Sequence, residues 1–153
     1  MNKLVVPKSL KRGDTIALIS ISGGRAGDED MLYRYEAGKK RLEEVWGIHV
    51  IPTPNALAGS NFLYEHPEAR AEDLMWALQN TEVNGIICMM GGDDSYRVLP
   101  YIDLNVIKNN PKVFMGFSDI TSWMAVFAKA GIRAYYGPNL LTPIAQPVAL
   151  DPY

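Results

Sequence analysis

Short runs of β-branched and apolar residues alternate along this chain with longer segments of helical periodicity, and this alternation limits the possible folds more than any other feature. It is typical of βαβ units built around a parallel sheet. The run at residues 84–90 is almost entirely apolar, as expected of a strand that helices cover on both faces. The pattern therefore predicts an α/β fold.

Five strands are predicted, at residues 15–20, 49–51, 84–90, 112–117 and 133–136. Helices are predicted at residues 30–45, 68–79 and 119–129, with shorter helical stretches ending near Pro100 and starting at Asp103. This order of elements predicts a three-layer sandwich with a parallel sheet in the middle, of the flavodoxin type, for residues 1–136. Residues 137–153 contain Pro138, Pro143, Pro147 and Pro152, which favour a linker toward a further domain.

Composition excludes several classes of protein. With 153 residues the chain can bury one core without staples, and its single cysteine, Cys88, cannot form an intrachain disulfide. The balance of 15 Lys and Arg against 17 Asp and Glu argues against nucleic-acid binding, which needs a concentrated basic surface. No signal sequence and no apolar run of about 20 residues is found, so we expect a cytoplasmic protein without membrane contact.

Ligands of open parallel sheets bind at the carboxyl ends of the strands, so the loops after the predicted strands are the places to search. Ser118 follows the fourth strand directly and precedes a helix. There it can serve as a nucleophile, or it can simply cap the helix. The pattern differs from the G-x-S-x-G nucleophile elbow because Ile120 replaces the second glycine.

Two further loops contain small residues. Gly91 and Gly92 follow the third strand and can present free backbone N–H groups to an oxyanion, with Asp93 as a substrate-binding candidate. The alternative is a tight turn in which Asp93 or Asp94 caps a short helix. Ser22 begins a Ser-Gly-Gly sequence after the first strand that can hold a phosphate or carboxylate, although it lacks the spacing of a dinucleotide fingerprint.

A nucleophilic serine needs a base, and the chain contains only two histidines, His49 and His66. His49 opens a strand at the amino end of the sheet, and His66 precedes a helix, so neither is well placed. No spacing of His, Cys and Asp matches a closed metal site, and we predict neither a metal nor a cofactor.

Four stretches of the chain resemble the LD-carboxypeptidase family of serine peptidases, which includes the microcin C self-immunity peptidases. They are PKSLKRGDTI at 7–16, RAEDL at 70–74, GGDDSYRVLPYID at 91–103 and GFSDIT at 116–121. They occur in family order and cover nearly the whole chain. Phe117 stands where many members have tyrosine.

The resemblance implies that Ser118 is the nucleophile and that amides at Gly91, Gly92 and Asp119 form the oxyanion hole. It also implies that the glutamate and histidine of a Ser-Glu-His triad come from a C-terminal domain that this sequence does not contain, so the chain alone is expected to be inactive. The implied substrates are LD-peptides of murein or peptidyl-nucleotide conjugates of the microcin type. The variant at 91–95 favours the second.

Two expectations remain. The segment 135–141 is too apolar for a free linker, so we expect it to fold back over the domain or to promote a homo-oligomer such as a homodimer.

The alternative function is a non-catalytic α/β module that uses the loops at Ser22 and Gly91 to bind an anion or nucleotide.

Overall fold

Five parallel strands form the central sheet in the computed structural model, which describes residues 3–146. The strands are β1 (Thr15–Ile19), β2 (His49–Pro52), β3 (Val83–Cys88), β4 (Val113–Gly116) and β5 (Tyr135–Tyr136). Their order across the sheet is β2-β1-β3-β4-β5, which is the strand order of flavodoxin-type folds. The predicted fold class is confirmed.

The helices are α1 (Leu32–Trp46), α2 (Ser60–Glu65), α3 (Pro67–Gln79), α4 (Leu104–Asn109) and α5 (Thr121–Lys129). Short 3₁₀ turns lie at Arg25–Gly27, Ser95–Tyr101 and Ser118–Ile120. The sequence did not predict α2, because six residues are too few to show a helical apolar period. Within residues 3–146 no helix is both long enough and apolar enough to cross a membrane.

Alternating side chains of the strands bury both faces of the sheet. In β1, Ala17 and Ile19 belong to one core, which also contains Leu74 of α3 and Phe127 of α5. Ile16 and Leu18 belong to the other core, together with Tyr35 and Leu42 of α1. Since successive residues of a strand point to opposite faces, this alternation produces the three layers.

The segment after β5 packs against α1. Residues Leu140–Ile144 form a short segment with a kink at Thr142, and all of them except Thr142 are buried. The N–H of Leu141 donates to the carbonyl of Met89 over 2.9 Å, and Gly38 on α1 leaves room for the Leu140 side chain. The expectation that the apolar closing segment folds back is confirmed here, so this part of the predicted 137–153 linker packs on the domain. Residues 147–153 lie outside the described residues.

Candidate active site

Ser118 lies at a sharp turn between β4 and α5. Its φ of 65° is the one positive φ at a non-glycine residue in the described part of the chain. An L-residue in this region costs about 1–2 kcal/mol because its Cβ approaches the neighbouring carbonyl oxygen. Gly116 makes the turn possible, since a methyl group there would lie 2.7 Å from Cγ2 of Ile120. Such backbone strain is typical of the serine in a nucleophile elbow.

The capping interpretation of Ser118 is wrong. The residues at the cap positions of the 3₁₀ turn and of α5 are Phe117 and Ile120, and neither position has a side-chain cap bond. The Ser118 residue is exposed instead. Its side chain lines a cavity of about 250 Å³ together with Gly91 and Gly92.

The loop at Gly91 runs directly against the serine. A methyl group on Gly91 would lie 2.9 Å from Ser118 Cβ and 3.0 Å from its Oγ. Across residues 3–146, the backbone N–H groups of Gly91 and Gly92 donate no backbone hydrogen bond. The structure thus brings together the serine and the three residues that the resemblance associates with an oxyanion hole.

The Asp119 carboxylate joins three strand-end loops. Its Oδ2 accepts hydrogen bonds from Ser22 Oγ at 2.6 Å and from the backbone N–H of Ser95 at 2.9 Å. Partial burial raises the pKa of Asp119, but these hydrogen bonds and the charge of Arg70 outweigh it, so the pKa stays below its ordinary value. The ionised carboxylate therefore fixes the loops after β1 and β3 relative to Ser118.

Arg70 of α3 contacts the loop that carries Gly91 and Gly92, through Asp94. Its side chain is 0% exposed and forms a bidentate ion pair with Asp94, with distances of 2.9 Å and 3.0 Å. It also donates to the carbonyl oxygen of Ser22 over 3.2 Å. Arg97 also contacts Oδ2 of Asp94, at 3.3 Å. No role was predicted for Arg70, although a charged residue on the apolar face of a predicted helix is a usable signal.

The substrate-binding candidates line a second cavity of about 290 Å³. Ser22 is buried and its hydroxyl is bonded to Asp119, whereas Asp93 is exposed. The N–H of Gly23 donates to the carbonyl of Gly91 over 3.1 Å, so one backbone bond joins the walls of the two cavities. Glu65, Asp93 and Asp94 make this second cavity acidic.

Sequence patterns did not identify Asn139 as a residue of the site, because it lies in the predicted linker. It is buried, its Oδ1 accepts from the N–H of Phe117 at 3.2 Å, and its Nδ2 donates to the carbonyl of Phe117 at 3.3 Å. It thereby holds the residue that precedes Ser118. A single polar residue among prolines carries no sequence signal for such a contact.

The two histidines lie elsewhere. His49 pairs with Thr15 at the start of β1, which is the amino end of the sheet. His66 contacts Glu68 Oε1 at 2.7 Å and thereby lowers the pKa of that carboxyl. Among the described residues, neither histidine lines the cavity at Ser118. Cys88 is buried in the core, and burial raises the pKa of its thiol, so it is not a nucleophile.

An apolar surface lies beside the serine. Tyr136 is 70% exposed, and its ring meets that of Phe117 edge-on at 6.3 Å. With Gly137 and Pro138 these residues line an open cavity of about 510 Å³. This apolar surface lies at the carboxyl ends of β4 and β5.

A strained serine between a parallel strand and a helix, faced by a loop of paired glycines, has the backbone geometry of the hydrolase nucleophile elbow. Residues 16–137 match the family described as the LD-carboxypeptidase N-terminal domain. The chain belongs to the LD-carboxypeptidase family, within its N-terminal domain.

Individual relatives agree with this assignment. The crystal structure of an MccF-like protein from Streptococcus pneumoniae in complex with AMP is 36% identical, with a TM-score of 0.82 over 88% of this chain and 40% of that one. The microcin C7 self-immunity protein MccF in complex with aspartyl sulfamoyl adenosine is 27% identical, with a TM-score of 0.81 over 97% and 43%. A Bacillus subtilis protein named "Probable murein peptide carboxypeptidase" is 30% identical over 90% of this chain and 42% of its own length. The chain thus spans about two fifths of the length of these relatives.

Proposed function

We propose that Ser118 is the nucleophile of a serine carboxypeptidase that cleaves an amide bond to a small terminal group. The observation that carries this proposal is the positive φ of Ser118 against the Gly91 loop. A strained backbone at an exposed polar residue persists only where the surroundings impose it, and such residues cluster at functional sites.

The proposed reaction has two steps. Ser118 Oγ attacks the carbonyl carbon, its proton passes to a base, and the tetrahedral intermediate collapses when that proton reaches the leaving nitrogen and the C–N bond breaks. Water then hydrolyses the acyl-serine ester. The negative charge that develops on the carbonyl oxygen meets the N–H groups of Gly91, Gly92 and Asp119. Those of Gly91 and Gly92 donate no other backbone hydrogen bond among residues 3–146.

Two buried contacts position these groups. The Asp119 carboxylate ties its own turn to the loops of Ser22 and Ser95, and the ion pair of Arg70 with Asp94 holds the loop that carries the glycines. An oxyanion donor displaced by 1 Å loses much of its effect, so these ion pairs and hydrogen bonds act on the rate through geometry.

We place the base in a different domain. Neither histidine of the chain lines the cavity at Ser118, and the resemblance implies a glutamate and a histidine from a C-terminal domain. In this proposal residues 1–136 are the nucleophile domain and residues 137–153 lead toward the second domain. The apolar surface at Phe117 and Tyr136 fits a covering partner, either that domain or a second copy in a cytoplasmic homodimer.

The proposed substrates are an LD-peptide of murein or a peptidyl-nucleotide of the microcin type. Structures of similar proteins in complex with AMP and with aspartyl sulfamoyl adenosine support the second, and the Bacillus subtilis relative supports the first. The acidic cavity beside Ser22 argues against the alternative of a non-catalytic anion-binding module, because Glu65 and Asp93 would repel an anion there, whereas the charge of Asp94 is paired with Arg70.

A serine-reactive phosphonate probe on the full-length gene product tests the proposal. We expect labelling that Ser118→Ala abolishes. Ser122→Ala is the matched control, since Ser122 is exposed only four residues further along the same segment. Labelling that persists in Ser118→Ala, or that Ser122→Ala removes equally, would overturn the assignment.

The 153-residue chain alone should hydrolyse an LD-tetrapeptide at a rate near background. Loss of the triad partners lowers the turnover of serine peptidases by roughly four to six orders of magnitude. The hydrolysis rate is measured by chromatography of the released terminal residue. Robust turnover by the pure chain would show that His49 or His66 acts as the base or that the mechanism is different, and would overturn the placement of the base in another domain.

A further inference from the structure

Arg34 is the charged residue among those that line the Ser118 cavity. It lies in the first turn of α1, and its side chain lines the cavity of about 250 Å³ with Ser118, Gly91 and Gly92. Its Nε is buried and has no hydrogen-bond partner among residues 3–146. A buried guanidinium N–H without an acceptor is costly, so its persistence calls for an explanation.

The carboxylates that could pair with Arg34 are already bound elsewhere. Asp30 lies in the turn before α1, four residues before Arg34, and is held by Arg25 at 2.7 Å. Asp94 is bound by Arg70, and Asp119 accepts from Ser22 and Ser95. Within the described residues, no carboxylate forms an ion pair with Arg34.

The wall of this cavity is mostly apolar. Met31, Met90 and Leu141 line the same cavity. An apolar wall lowers the local dielectric and strengthens the attraction between the guanidinium and an incoming anion. A planar guanidinium can also bind a carboxylate or phosphate with two parallel N–H···O bonds.

We propose that Arg34 binds the anionic group that lies just beyond the scissile amide nitrogen of the substrate. This inference rests on the proposed function of Ser118. In an LD-peptide the anion is the terminal carboxylate, and in an acyl-nucleotide conjugate it is the phosphoryl group. Both anions stand one or two bonds from the scissile nitrogen, so one arginine near the nucleophile serves either. Arg34 thus restricts cleavage to a bond next to a terminal anion, which makes the enzyme a carboxypeptidase and not an endopeptidase.

Direct binding to the 153-residue chain tests this without any need for turnover. N-acetyl-D-alanine and its neutral carboxamide are titrated against the isotope-labelled chain, and amide shifts of Gly91 and Gly92 report occupancy. We expect the carboxylate to bind about tenfold more tightly than the carboxamide, since a charge-assisted bond is the difference between them. Arg34→Gln should remove this preference and leave carboxamide binding unchanged, and Arg34→Lys should retain part of it.

The matched control is Arg133→Gln, which removes one positive charge from an exposed position outside the cavity. It should keep the tenfold preference. AMP is a third probe that distinguishes the two anions. If Arg34→Gln weakens the binding of AMP alone, the bound anion is a phosphate. If it weakens the binding of N-acetyl-D-alanine alone, the bound anion is a carboxylate. An unchanged preference in Arg34→Gln, or no preference in the parent chain, would overturn the inference. Ser118→Ala should bind both anions normally, so failure of the nucleophile assignment is seen separately, in the phosphonate labelling.

Discussion

The strained backbone of Ser118 predicts an unusual order of stability between two substitutions at one position. Ser118→Ala keeps a Cβ at φ 65°, whereas Ser118→Gly removes it. Glycine should therefore be the more stable of the two. In an ordinary helix the order is the reverse, because glycine loses more backbone entropy on folding than alanine.

The size of the effect follows from two opposing contributions. Removing the Cβ relieves about 1–2 kcal/mol of left-handed strain. The larger loss of backbone entropy destabilises the glycine variant by about 0.5–1 kcal/mol relative to alanine. The free energy of unfolding of Ser118→Gly should exceed that of Ser118→Ala by roughly 0.5–1 kcal/mol. With a urea dependence of about 2 kcal/mol per molar, the midpoint rises by about 0.3–0.5 M.

Urea unfolding followed by circular dichroism measures the difference. The matched control is Ala125→Gly, at an exposed position inside α5, which should lower the midpoint by about 0.5 M. The comparison is free of the lost hydroxyl, since both Ser118 variants lack it. If Ser118→Gly unfolds at lower urea than Ser118→Ala, as at position 125, then the residue adopts an ordinary backbone conformation and the elbow geometry is wrong.

Further predictions concern the contacts around the serine. Because folding lowers the pKa of Asp119, its stabilising contribution is fully present above the ordinary value of 3.8 and is lost as the pH falls through the folded-state pKa. Asp119→Asn should therefore lose less stability than the parent chain between pH 5 and 2, because unfolding is linked to the uptake of about one proton fewer. Urea unfolding across this pH range measures the slope, and an unchanged slope would contradict the prediction. Gly91→Ala should lower phosphonate labelling at least about tenfold at unchanged fold, since its methyl group would lie 3.0 Å from Ser118 Oγ, and normal labelling would show that the loop does not face the hydroxyl. Arg70→Met should destabilise the chain by about 3 kcal/mol in urea unfolding, because Asp94 keeps only its longer contact with Arg97, and a loss below 1 kcal/mol would refute the importance of the buried pair.

Local pattern was sufficient for the layout of the sheet. β-branched runs flanked by helical periods predicted all five strands, because a strand covered on both faces must be apolar and short. The positions of Ser118 and of Gly91 at strand ends also followed from chain order, since carboxyl ends of parallel strands share one edge. Gly116-Phe117-Ser118 and Gly91-Gly92 then carried the family resemblance that the match at residues 16–137 supports.

Only the tertiary structure determines which contacts position Ser118 and which residues line its cavity. Whether Ser118 caps a helix or adopts a strained turn depends on Gly116 meeting Ile120, a contact that local propensity cannot express. The buried pair of Arg70 with Asp94 joins residues 24 positions apart, and the clamp of Asn139 on Phe117 reaches across a β-strand from a proline-rich segment. Sequence periodicity reports only which face of an element is apolar. The partner of a buried charge or amide is set by which loops the sheet brings together, and that is a property of the tertiary structure.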